Sequence, residues 1–177
     1  MRVEVRRVHT HLALPALIPL VVALLSLKPP DARPKCPDVL LTAVAILATT
    51  ALHEELHYLT AHIAGVKGVK LRASPLLGAV TLDYDSATPS QLAAIALAPQ
   101  ALNAALAILT ILYPQYAKPL YAALVVNIAT STLDLGTAAL LLTRHRHAKT
   151  VKPLYDENGA IIGAVIEYTD HIIVYTS

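Results

Sequence analysis

The chain has 177 residues, of which 55% are hydrophobic and only 15% charged, with a net charge of +2. A mean hydropathy of +0.56 is too apolar for an ordinary soluble domain and points to a membrane. The basic residues are dispersed between apolar runs rather than gathered on a face, so no nucleic acid is expected as a partner. The lone Cys36 excludes both an intramolecular disulfide and a cysteine-based metal site.

Taken in order, Arg2, Arg6 and Arg7 precede an apolar run over residues 12–27. That run ends in Lys28-Pro29-Pro30-Asp31 without a small-x-small cleavage pattern, so it reads as a first spanning helix rather than a signal peptide. Pro15 and Pro19 bend it, and it is short for a span. Three longer runs follow at 39–64, 89–112 and 119–143, each able to cross a hydrocarbon core of about 30 Å. Pro89 and Pro119 stand at helix starts, where a missing N–H costs nothing. Pro99 lies inside its run and should kink it, freeing a carbonyl. Gly65 reads as a helix stop.

Residues 66–88 are too polar to cross and suggest two short strands, over 66–71 and 79–84, joined around Ser74 to Gly78. Residues 144–149, Arg-His-Arg-His-Ala-Lys, read as a solvated basic cap. Asn158-Gly159 is a hairpin signal between strands over 151–155 and 161–168, with a third strand at 172–175. This tail is too small to stand alone. It should pack on the membrane domain, on the 66–88 strands, or on a second copy as a homo-oligomer.

The expected fold class is therefore mainly α, a polytopic membrane protein of about four transmembrane helices. Three of these form the catalytic core, with a small β-hairpin loop and a short C-terminal antiparallel β segment. Its parts are residues 1–38 (basic segment, first span and outer loop), 39–143 (membrane core) and 144–177 (β-rich tail). Ten of the fourteen basic residues fall on the side shared by the N-terminus, the 66–88 loop and the tail. By the positive-inside rule both termini are cytoplasmic and the chain is an integral protein of the cell membrane, with the lipid bilayer as a partner. Tyr113, Tyr116 and Tyr121 read as an interfacial belt at the opposite boundary.

The chemistry concentrates in His53-Glu54-Glu55-Leu56-His57. On a helix, His53 and His57 stand one turn apart on one face and can grip a zinc ion, with Glu54 placed to act on a water beside it. A chance match on a soluble helix is the competing reading, but ionisable residues in an apolar run are costly unless they act. Two histidines leave zinc short of a third protein ligand. Asp134 is the acid of the last span; it lies fifteen residues after Pro119, as His53 lies fifteen after Asp38. At about 1.5 Å per residue both sit about 22 Å along their helices. An aspartate kept only for helix packing is the alternative. Asn127, Ser131, Asn103 and Gln100 could contact substrate or orient a ligand, or could simply hydrogen-bond between helices. Glu55 and His62 are weaker candidates, and His62 suits an interfacial place better.

With Ala98-Pro99 in one span and Asn127-x3-Ser131-x2-Asp134 in the last, the motif resembles the site-2 protease group of intramembrane zinc metalloproteases. It resembles in particular the small zincin-type membrane peptidases related to them, over roughly residues 39–143. The resemblance implies Zn2+ as cofactor, Asp134 as third ligand and a membrane-protein or peptide substrate. Leu135 follows Asp134, with Gly136 one further on and no preceding Pro, which departs from the larger group and fits the smaller family. These 177 residues leave no room for a PDZ or CBS module, so regulation by such modules is not expected to carry over. The expected function is hydrolysis of peptide bonds in membrane-embedded or membrane-proximal substrates. The alternatives are a zinc hydrolase of another amide or lipid-linked substrate, and a zinc-binding transporter or scaffold without protease activity.

Overall fold

The computed structural model describes residues 2–7, 36–74, 79–157 and 161–176. The first strand is β1 (Arg2–Arg7) and the first helix α1 (Cys36–Ile63). The expected span over 12–27 and the Asn158-Gly159 turn lie outside the described residues. Among those described, three helical stretches are long and apolar enough to cross a membrane: Val39–Ile63, Pro89–Leu112 and Pro114–Thr143. Leu40, Leu47, Ile63, Ile111 and Leu133 are each at least 60% exposed on these helices, an arrangement suited to lipid.

α1 is apolar around its circumference, so nothing but its end signals stop it. Gly65 adopts φ +72°, and its N–H donates to the His62 carbonyl while Val66 N–H donates to that of Ala61, both at 3.0 Å. This is a Schellman stop, sealed by packing of buried Val66 and Ala61. The chain then forms a hairpin of β2 (Lys70–Ser74) and β3 (Ala79–Asp83), paired antiparallel with Lys70 opposite Asp83. Its first strand begins later than 66 because Gly68, also at φ +72°, turns the chain first.

The third apolar run is two helices, α2 (Pro89–Leu97) and α3 (Pro99–Leu112), broken at Ala98 as Pro99 requires. α2 opens with a capping box between Thr88 and Gln91. Gln91 Nε2 also donates to the Ala64 carbonyl at 2.7 Å, tying the start of α2 to the end of α1. A 3-10 turn, Pro114–Tyr116, leads into α4 (Ala117–Thr143). The helix thus starts two residues before Pro119, which still falls within the first turn, where no intrahelical N–H bond is lost.

α4 is the central element, packed against α1, α2 and α3. Its buried stripe is Pro119, Ala123, Asn127, Ser131, Ala138 and Leu141. Small residues dominate it, and small residues are what let helices approach closely in a membrane. They are matched by Ala61 of α1 and by Ala93 and Ala96 of α2.

β4 (Thr150–Tyr155), β5 (Ile161–Glu167) and β6 (His171–Thr176) pair antiparallel as expected. The short antiparallel segment is, however, part of a larger mixed sheet of order β1-β6-β5-β4, because β1 adds to β6 in parallel register. The alternation Arg2-Val3-Glu4-Val5-Arg6 is a strand pattern that the basic character of the segment conceals. Gly163 allows the close crossing of β5 and β6; a Cβ there would collide with the Tyr175 carbonyl oxygen. The sheet docks on the helix bundle through Val151, Ile166 and Ile173 against Ala93, Ala96, Ala138 and Leu141.

The expected basic cap holds for Arg144, Arg146, His147 and Lys149, which are exposed, and is corrected at one histidine. His145 is 2% exposed. Its Nδ1–H donates to Tyr168 Oη at 2.6 Å and its Nε2 accepts from Tyr175 Oη at 3.0 Å. The sheet folds over this histidine, a long-range event that a short basic run does not announce.

Candidate metal centre

α1 presents His53 and His57 on the face turned to α4, and α4 presents Asp134. His53 Nε2 and His57 Nε2 are 3.2 Å apart. Asp134 Oδ2 lies 3.3 Å from the first and 3.5 Å from the second. His53 is buried, His57 and Asp134 partly so.

The opposite nitrogens explain the convergence. His57 Nδ1–H donates to the Ile95 carbonyl at 2.8 Å. A carbonyl only accepts, so in the neutral ring Nε2 is bare. His53 Nδ1–H donates to Asn127 Oδ1 at 2.9 Å. The orientation of that amide is set by its other end, where Asn127 Nδ2 donates to Asn103 Oδ1 at 2.8 Å and to the Pro99 carbonyl at 3.4 Å. Two lone pairs thus face a carboxylate oxygen that is buried and receives no hydrogen bond. Three acceptors held together repel one another unless a cation or proton lies between them.

A metal ion fits this donor set. Ligands about 2.0–2.1 Å from a tetrahedral centre stand about 3.3–3.4 Å apart, and the three separations match that edge within about 0.2 Å. Nitrogen and carboxylate donors without thiolate suit zinc. Each histidine carries the backbone or amide partner on its far nitrogen that metal-ligating histidines usually have.

The centre opens on a cavity of about 710 Å³ whose wall includes Glu54, Leu82, Tyr84, Thr130, Leu133 and Thr137. Glu54, adjacent to His53 in sequence, is the acid beside Asp134 on that wall. Leu82 and Tyr84 bring the β2–β3 hairpin over the opening. Burial, with the nearby Asp83 carboxylate adding to it, pushes the Tyr84 phenol up to about 12, so it remains a neutral hydrogen-bonding group there.

A family profile described as "Putative zincin peptidase" matches residues 46–149, more than half of the chain. The chain belongs to that zincin peptidase family. No curated protein and no solved structure matches it.

In this chain the residues singled out by sequence divide into two groups. His53, His57 and Asp134 meet, with Glu54 on the same cavity. Asn127, Asn103 and Gln100 lie behind the histidines as a chain of amides, Asn103 Nδ2 donating to Gln100 Oε1 at 3.0 Å. Ser131 is fully buried, and its hydroxyl makes no hydrogen bond. His62 donates to the Tyr58 carbonyl on the outside of α1, and Glu55 is exposed; neither reaches the centre. Sequence reasoning expected a carbonyl freed by Pro99 but did not assign it to His57, the partner that the Ile95 carbonyl takes. Nor did it find Thr130 and Thr137, one turn either side of Asp134.

Proposed function

We propose that this member of the family is an intramembrane zinc metallopeptidase of the site-2-protease type. It hydrolyses peptide bonds of membrane-embedded or membrane-proximal substrates. The observation that carries the reading is the meeting of two bare imidazole nitrogens with an unpartnered aspartate oxygen, all on helices long and apolar enough to cross a membrane.

His53, His57 and Asp134 would hold the ion. When bound, zinc supplies Lewis acidity, polarising an amide carbonyl and making water a stronger acid. Glu54 takes the proton from the attacking water and returns it to the leaving amine nitrogen, acting first as base and then as acid. The hairpin at the cavity mouth is placed to receive an extended substrate along a strand edge, once that substrate has unwound from helix. In this reading the site lies nearer the cytoplasmic face, the side on which the basic residues concentrate.

The test combines metal analysis with a search for substrates. Purified wild type and Glu54→Gln should each carry one zinc, and Asp134→Ala none. Cells carrying only Glu54→Gln should accumulate membrane-anchored proteins that wild type removes. Full zinc in Asp134→Ala would sink the ligand set; normal zinc with no accumulation would sink the peptidase.

A further inference from the structure

We infer that Pro99 is the positioning residue of the metal centre: the break it makes in the third apolar run sets the tautomer and ring orientation of both histidines. The inference rests on the metal-site reading above and extends it to a residue that touches neither ligand atom.

In an unbroken helix the N–H of residue 99 would donate to the carbonyl of Ile95, four residues earlier. Proline has no N–H. The Ile95 carbonyl takes one long bond from Ala98 N–H, at 3.2 Å. It keeps a lone pair for His57, which donates to it at 2.8 Å. Because that oxygen only accepts, the proton of neutral His57 stays on Nδ1 and Nε2 is left for the site.

On the far side of the break the carbonyl of Pro99 and the side-chain oxygen of Asn103 both face Asn127 Nδ2, at 3.4 Å and 2.8 Å. The Pro99 carbonyl, which can only accept, turns the amide's NH2 toward α3 and its oxygen toward His53 Nδ1, 2.9 Å away. Asn103 is itself oriented by donating to Gln100 Oε1 at 3.0 Å. Gln100, Asn103, Asn127 and His53 are therefore polarised in one direction, and the same proline begins the helix that carries the first two. With no water in a bilayer to rescue free carbonyls, a break at this place has to be met by side chains. The freed carbonyl is that of Ile95, and the side chain that meets it, His57, is itself a residue of the site.

The experiment is a zinc titration of metal-free, detergent-purified protein against a competing chromophoric chelator, alongside its thermal unfolding. Pro99→Ala restores an N–H that competes for the Ile95 carbonyl. It should weaken zinc binding about 10–100-fold, the usual effect of losing such a partner. The metal-free protein should melt no lower than wild type, because alanine favours the helix. Asn127→Leu, similar in size but without the acceptor, should weaken binding to a similar degree. Wild-type affinity in Pro99→Ala, or a loss that only tracks a fall in melting temperature, would overturn the inference while leaving the metal site standing. A wild-type protein that takes up no zinc would overturn both.

Discussion

His53 and His57 each commit one ring nitrogen to the protein and hold the other toward Asp134, and the contrast with Ser131 is instructive. Its hydroxyl lies one turn from Asp134 on the buried stripe, yet bonds to nothing among the described residues. Replacing an unpaired buried hydroxyl with a methyl group removes a desolvation cost and little else. Ser131→Ala should therefore change unfolding free energy by less than about 1 kcal/mol and leave zinc affinity untouched, as chelator competition would show. At this scale much could be read from sequence. The His-x3-His spacing, the matched depth of Asp134 and the polarity of Asn127, Asn103 and Gln100 all pointed inward. What stayed hidden was a pairing: Pro99 marks the carbonyl at Ile95 as one short of its helical N–H, but nothing local says that His57, on another helix, donates to it.

Among the elements, α1 and α4 depend on opposite devices. α1 ends because Gly65 reaches φ +72°, with open space where a Cβ would be. Gly65→Ala should cost about 1–2 kcal/mol from backbone strain alone, measurable by chemical denaturation in detergent. α4 depends on smallness: Ala138 is 2% exposed, beneath the docked sheet. Ala138→Leu should overpack that contact and cost about 1–3 kcal/mol. The helical runs and hairpins were legible because length, proline and glycine mark them locally. β1 was not, because pairing with a strand 169 positions away leaves no local trace beyond a five-residue alternation.

At the scale of the molecule, the sheet is fastened to the bundle through His145. Burial, and then the guanidinium groups of Arg6 and Arg144, hold its imidazole below the ordinary histidine range. The unfolded chain therefore takes up a proton before the folded one as pH falls. His145 thus makes its full contribution to the docked sheet above about pH 6.5, and that contribution falls progressively below. Protonation would also turn Nε2 into a donor facing Tyr175, whose hydroxyl now donates to it. Amide hydrogen exchange in β5 and β6 should accelerate relative to the helices between pH 7.5 and 5.5, and His145→Asn should flatten that dependence. The parallel pairing of β1 with β6 carries a consequence in time. Arg2 aligns with His171, so β1 waits for its partner until the 169 positions that separate them have been synthesised. At about 5–20 residues per second the delay is roughly 8–35 s. During that interval the helices can already have met, so β1 joins the sheet only after the helices between the two strands have been made.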